Sequence, residues 1–170
     1  MNTTQKAQIE DLFYFPVMKS IKTHLAKNKE TVAVAESVTS GLLQLAFGTI
    51  EDASFFYQGG ITAYNLGQKY RHLLIEPIHA QECDCISQKV ADEMAVNVCE
   101  LFKSNWGLSI TGYATPVKES NDKLFAYFTI VHNNKIQAAR KIIPKCKDPF
   151  AVQMEYTNIV LQRFRELMPA

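Results

Sequence analysis

Apolar positions recur along this chain with two periods, and the switches between them mark its elements. Residues 31–35, TVAVA, form an uncharged run rich in β-branched side chains, with the length of a strand covered on both faces. Before it, Val17, Ile21, His24 and Leu25 fall at helical spacing and Pro16 suits a first turn, so a helix is predicted over residues 16–27. After it come a short apolar helix over residues 42–47 and a second short helix that Asp52 caps and Gly59 ends. Residues 60–64 read as the next strand. A helix carrying Lys69 then runs through Leu74 and breaks near Pro77, and residues 78–85 lack periodicity and read as a loop. Ser87 caps a helix to about residue 102, on which Val90, Met94, Val98, Cys99 and Phe102 line one face. A buried strand over residues 106–111 ends at Gly112, and residues 124–132 and 135–143 form a hairpin around Asn133-Asn134. Asp148-Pro149 starts a last helix striped with Val152, Tyr156, Ile159, Val160, Phe164 and Leu167. The order predicts a three-layer α/β/α domain with a mixed sheet.

Composition narrows the setting. A chain of 170 residues is ample for one core and short for two, so residues 1–170 read as one domain, with residues 1–11 flexible. The formal net charge is +1, from 18 basic and 17 acidic residues, with no basic patch in the sequence, so a nucleic-acid partner is not expected. A pocket for one phosphate stays open. No apolar run approaches the roughly 18 residues needed to span a bilayer, and Met1 to Asp11 has no signal-peptide core, so a cytoplasmic protein away from membranes is expected. Leu12-Phe13-Tyr14-Phe15 either packs into the core or offers a subunit contact. Packing is favoured, although the small size and this aromatic stretch also suit a homo-oligomer. Cys83, Cys85, Cys99 and Cys146 have no metal spacing and read as reduced thiols, and the four histidines are scattered, so neither a metal nor another cofactor is expected.

Polar groups gather just past the first strand. Glu36, Ser37 and Thr39 follow it, and Ser40-Gly41 opens a helix whose free N–H groups can receive an anion. Ser54 sits in the first turn of the second short helix, where the partial positive charge favours an oxyanion. A single extended strand from Ser54 to Tyr64 would hold its ends roughly 30 Å apart at about 3.3 Å per residue. A helix that doubles back through Gly59-Gly60 removes that obstacle and lets Ser54 share an opening with Lys69.

The motifs AESVTSG, the spacing of Ser54, Tyr64 and Lys69, the run CISQKVADEMA and the segment SITGYATP resemble the C-terminal domain of the competence/damage-inducible protein CinA, from about residue 31 to the last helix. Stand-alone members of that family are nicotinamide-nucleotide amidohydrolases. The resemblance implies a metal-independent Ser/Lys hydrolase that converts nicotinamide mononucleotide to nicotinic acid mononucleotide and ammonia in pyridine nucleotide salvage. It assigns Ser54 as nucleophile, Lys69 as base, Tyr64 as their hydrogen-bonding partner and Thr111 as an orienting group. Glu36, Ser37, Thr39, Gly41, Gly112, Ala114 and Lys147 would bind substrate. The chain departs from the family pattern at Ser40, Thr115 and Phe125, which replace glycines, and at Pro149, which aligns with an arginine whose charge the nearby Lys147 would supply. Thr115 and Phe125 should narrow the pocket. Two functions therefore stay open: the amidohydrolase, and a divergent member that binds another small nucleotide-like ligand or a protein partner with little or no hydrolysis.

Overall fold

A computed structural model describes residues 13–168. Its helices are α1 (Phe15–Asn28), α2 (Leu42–Gly48), α3 (Leu66–Leu73), α4 (Pro77–Glu82), α5 (Gln88–Phe102) and α6 (Pro149–Glu166). Strands β1 (Val32–Glu36), β2 (Tyr57–Thr62), β3 (Trp106–Tyr113), β4 (Phe125–His132) and β5 (Lys135–Ile142) form one sheet in the order β2-β1-β3-β4-β5. β1 is parallel to both its neighbours, and β4 and β5 continue the sheet antiparallel, which is the mixed α/β/α arrangement that the periodicity predicts.

The two faces of the sheet are set by alternation along β1. Val32 and Val34 pack with Met18 and Ile21 of α1, Phe47 of α2 and Tyr156 and Val160 of α6. Ala33 and Ala35 point the other way, to Val90, Met94 and Val98 of α5. Small residues on that second face let α5 approach closely: a Cβ on Gly107 would lie 2.3 Å from the Ala95 carbonyl oxygen. The chain leaves β1 through α2 to β2 on one side, then crosses back through α3, α4 and α5 to β3 on the other. The C-terminal ends of β1 and β3 therefore open between diverging connections, where open α/β sheets hold their ligands.

Three segments differ from expectation. The helix predicted from Asp52 is a single 3-10 turn, Ala53–Phe55, and the Asp52 carboxylate pairs with Lys22 at 2.9 Å and caps nothing. Gly59 and Gly60 lie inside β2. A Cβ on Gly60 would stand 2.4 Å from Val34 Cγ2, and Gly59, at φ +124°, sits where the β1/β2 register shifts, as at a bulge. The glycines thus serve close packing in an edge strand, so the chain does not double back. Residues 78–85, expected as a loop, mostly belong to α4, whose start is fixed by Pro77 and by Glu76, whose carboxylate accepts from the N–H groups of Ile78 and His79. Phe13 is buried while Tyr14 is exposed. Leu12 and the segment 1–11 lie outside the described residues.

Candidate active site

The turn after β1 is organised by Glu36. Its carboxylate is fully buried and accepts from the N–H groups of Gly41 at 3.2 Å, Leu43 at 3.1 Å and Gln44 at 2.8 Å, and from Thr39 Oγ1 at 2.5 Å. The helix start that the sequence offers to a bound anion is therefore already filled by a side chain of the protein. Glu36 and Thr39, expected to touch substrate, are instead the internal cap of α2, and Gly41 is its N-terminal boundary at φ +103°. Ser40, in place of a glycine, takes φ +52°. From α6, Gln153 Nε2 donates to the Val38 carbonyl at 2.7 Å and holds the same turn.

Ser37 follows directly, at the C-terminal end of β1, with its N–H donating to the Ile110 carbonyl of β3 at 3.0 Å. Its hydroxyl is 2.9 Å from Lys69 Nζ on α3. Lys69 is 1% exposed, and its Nζ also reaches the carbonyls of Ala63 at 2.8 Å and Tyr64 at 3.4 Å. Burial lowers its pKa from 10.5 to about 8, against the opposing pull of Cys85 and Asp84. At pH 7 roughly a tenth of the molecules then carry a neutral amine. Such an amine points two N–H bonds at the two carbonyls and its lone pair at Ser37 Oγ, the arrangement needed to take a hydroxyl proton. Among the described residues, the N–H groups of Val38 and Thr39, next after Ser37, have no acceptor, which leaves donors for an oxyanion formed at Ser37.

A cleft of about 510 Å³ opens over this pair. Tyr64, Thr111, Gly112, Ala114, Thr115 and Pro149 line it. Thr111 Oγ1 donates to the Cys85 carbonyl at 3.0 Å, and the Tyr113 hydroxyl donates to Asp84 at 2.8 Å. Burial and Asp84 push the Tyr113 phenol pKa upward, so it stays protonated. Burial likewise raises the Cys85 thiol pKa, although Lys69 works against it, and the group is not a ready nucleophile. Tyr64 contributes its carbonyl to Lys69 while its ring is 72% exposed at the rim, so the hydroxyl is not the link between Ser and Lys that was expected. Gly112 shapes the cleft through its backbone: a Cβ there would stand 2.5 Å from Ala126 Cα.

Ser54 and Lys69 are not brought together. Ser54 precedes β2, at the end of the sheet where β1 begins, whereas Ser37 and Lys69 lie past the other end. The intervening six-residue strand spans about 17 Å at ~3.3 Å per residue. Ser54 is exposed and lines no part of the cleft. Ser37, placed by sequence among the substrate-binding residues, holds the position that suits a nucleophile. Its signal was its place at the carboxyl end of a buried strand. Lys147 and Phe125 line a neighbouring groove, so neither supplies charge to the cleft nor narrows it.

The family model of the CinA C-terminal domain matches residues 15–168. The chain belongs to the CinA C-terminal domain family. A CinA-like protein of Prochlorococcus marinus strain MIT 9301 is 30% identical over 147 residues, which make up 85% of this chain and 35% of that protein. A CinA-like protein of Picosynechococcus is 35% identical over 99 residues, 58% of this chain and 24% of its own length. The chain thus spans about a third of the first relative's length. The crystal structure of a competence damage-inducible protein A from Klebsiella pneumoniae superposes with a TM-score of 0.84 at 18% identity, covering 89% of this chain and 94% of that one. A CinA superfamily protein from Escherichia coli gives a TM-score of 0.84 at 22% identity, covering 89% and 88%. These structures share the fold of the CinA C-terminal domain. In this CinA domain Thr115 and Pro149, the positions that depart from the motif pattern, both line the cleft that also holds Ser37 and Lys69.

Proposed function

We propose that this CinA C-terminal domain is a metal-independent amidohydrolase in which Ser37 is the nucleophile and Lys69 the base, acting on the carboxamide of nicotinamide mononucleotide. The observation that carries the reading is the 2.9 Å contact between Ser37 Oγ and a buried lysine whose pKa lies near 8. Lys69 Nζ takes the hydroxyl proton as Ser37 Oγ bonds to the amide carbon. The Val38 and Thr39 N–H groups receive the oxyanion, and collapse returns the proton to the departing ammonia and leaves an acyl ester on Ser37. Water, deprotonated by Lys69, then releases the acid.

Ammonia release from nicotinamide mononucleotide by the purified protein tests this. Turnover that survives a chelator and is lost in Ser37→Ala, yet persists in Ser54→Ala, supports the assignment; full turnover in Ser37→Ala overturns it. A second reading, binding with little hydrolysis, draws on the cleft wall, where Thr115 and Pro149 stand in place of the family's glycine and arginine. It predicts a thermal shift with a nucleotide amide and no ammonia.

A further inference from the structure

Charge is divided unevenly between the cleft and its neighbour. Among the described residues, Lys69 is the one cationic side chain on the cleft wall, and its ammonium is already engaged by Ser37 and two carbonyls; Asp84 and Glu119 are the other charged residues there. A phosphate-bearing substrate finds no free positive charge inside. Beyond the wall lies a second groove of about 500 Å³, lined by Lys123, Lys141, Lys145 and Lys147 around Pro116 and Phe125. Asp122 is the only acidic residue on its lining among the described residues. None of the four lysines forms an ion pair among the described residues, and Lys141 Nζ stands 3.9 Å over the Phe125 ring. Beyond the lining, the Glu155 carboxylate accepts from the backbone N–H groups of Lys145 and Cys146 and is also attracted by the Lys145 ammonium, so it offsets part of the positive charge at that end, while Lys123, Lys141 and Lys147 remain.

The two spaces are lined by neighbouring residues of the same segments. Thr115 and Val117 line the cleft and Pro116, between them, lines the groove; on the opposite side Lys147 lines the groove and Pro149 the cleft. We propose that the lysine groove receives the phosphate-bearing arm of an amide substrate whose carboxamide lies at Ser37, with the Thr115–Pro116 ridge crossed by the uncharged sugar that joins the amide-bearing ring to the phosphate. The proposal rests on the hydrolase reading for the carboxamide end, while the anion site is a property of the groove alone. It selects phosphorylated over phosphate-free amides, and it makes that selection sensitive to salt, because exposed lysines are screened.

Two measurements separate the outcomes. Isothermal titration with inorganic pyrophosphate reads the groove without chemistry: wild-type binding that is lost in Lys141→Gln/Lys145→Gln is expected, and absent binding or binding equal in the variant overturns the proposal. The substitutions are exposed and should leave the fold intact, which circular dichroism checks. Kinetics then read the substrate arm. The double variant should raise KM for nicotinamide mononucleotide about tenfold at unchanged kcat and leave the phosphate-free riboside unaffected. An unchanged ratio between the two substrates overturns the proposal even if pyrophosphate binds. If no amide is turned over at all, the hydrolase reading fails, and the titration still decides the groove.

Discussion

Lys69→Met tests the central claim about this site, that the fold holds an ammonium ion in a place that favours the amine. The folded-state pKa, about 8, lies below the ordinary 10.5, so between those values the unfolded chain binds more protons than the native one. Stability should therefore rise with pH across that window, and below about pH 8 the full cost of burying the charge is present. Linkage between these two values gives a negligible gain at pH 7 and about 2.5 kcal/mol at pH 10. Methionine removes the titration but keeps the volume of the chain, and it leaves the Ala63 carbonyl without its donor. That loss is the same at both pH values and cancels in the comparison. Urea denaturation of both proteins at pH 7 and pH 10 should show the wild type gaining about 2.5 kcal/mol over the variant, or about 1 M in midpoint at an m-value near 2 kcal/mol/M. A difference between the two proteins that is constant from pH 7 to pH 10 would refute the buried-amine description, and with it the basis for Lys69 as a base.

The rate of amide hydrolysis by the wild type should climb about tenfold per pH unit below 8 and level off above it, as measured by kcat/KM from pH 6 to 9.5. Ser37→Ala should lower ammonia release by about a thousandfold or more, whereas Ser54→Ala should leave it within twofold and shift the melting temperature little, since Ser54 is exposed and about a strand length away. Gly112→Ala forces a Cβ within 2.5 Å of backbone at Ala126, so a loss of about 1–3 kcal/mol should appear as a melting temperature lower by several degrees. Glu36→Ala strands three backbone donors at the start of α2 and should destabilise by about 3 kcal/mol or more, seen in chemical denaturation.

Long periodic segments were legible from sequence because burial alone writes them. The α5 and α6 stripes, the alternation of β1 and the Asn133-Asn134 turn, with φ +49° and +61°, follow from side-chain period and turn chemistry. The misreadings have a shared physical origin. Gly59-Gly60 carries the composition of a turn, yet these glycines are required by contacts with Phe102 and Val34, residues far away in sequence. α4 is six residues long, too short to show a period, and its start is encoded in a capping carboxylate. The partner of Lys69 was missed for the same reason. Ser54 looked suitable in a local frame, while the partnership of Ser37 with Lys69 joins residues 32 apart through a parallel crossover that no local pattern displays. Lysines 123, 141, 145 and 147 escaped notice as a patch because they come from three separate segments of a nearly neutral chain.

Glu36 links these observations into one constraint on ligands. A helix start beside a nucleophile is ordinarily where a substrate's negative group is received, since its N–H groups and partial positive charge are free. Here a buried carboxylate from the preceding strand consumes those donors and fixes the turn, so that Ser37 is presented rigidly toward Lys69. The hydrogen bonds that fix the turn at Ser37 thus come at the expense of anion binding next to it. Asp84 and Glu119 on the same cleft deepen that bias, and the ammonium of Lys69 cannot offset it without giving up its hydrogen bonds to Ser37 and the Ala63 carbonyl. A substrate that carries both an amide and a phosphate must therefore keep the two well apart, and a positively charged groove separated from the cleft by the Thr115–Pro116 ridge is consistent with that requirement.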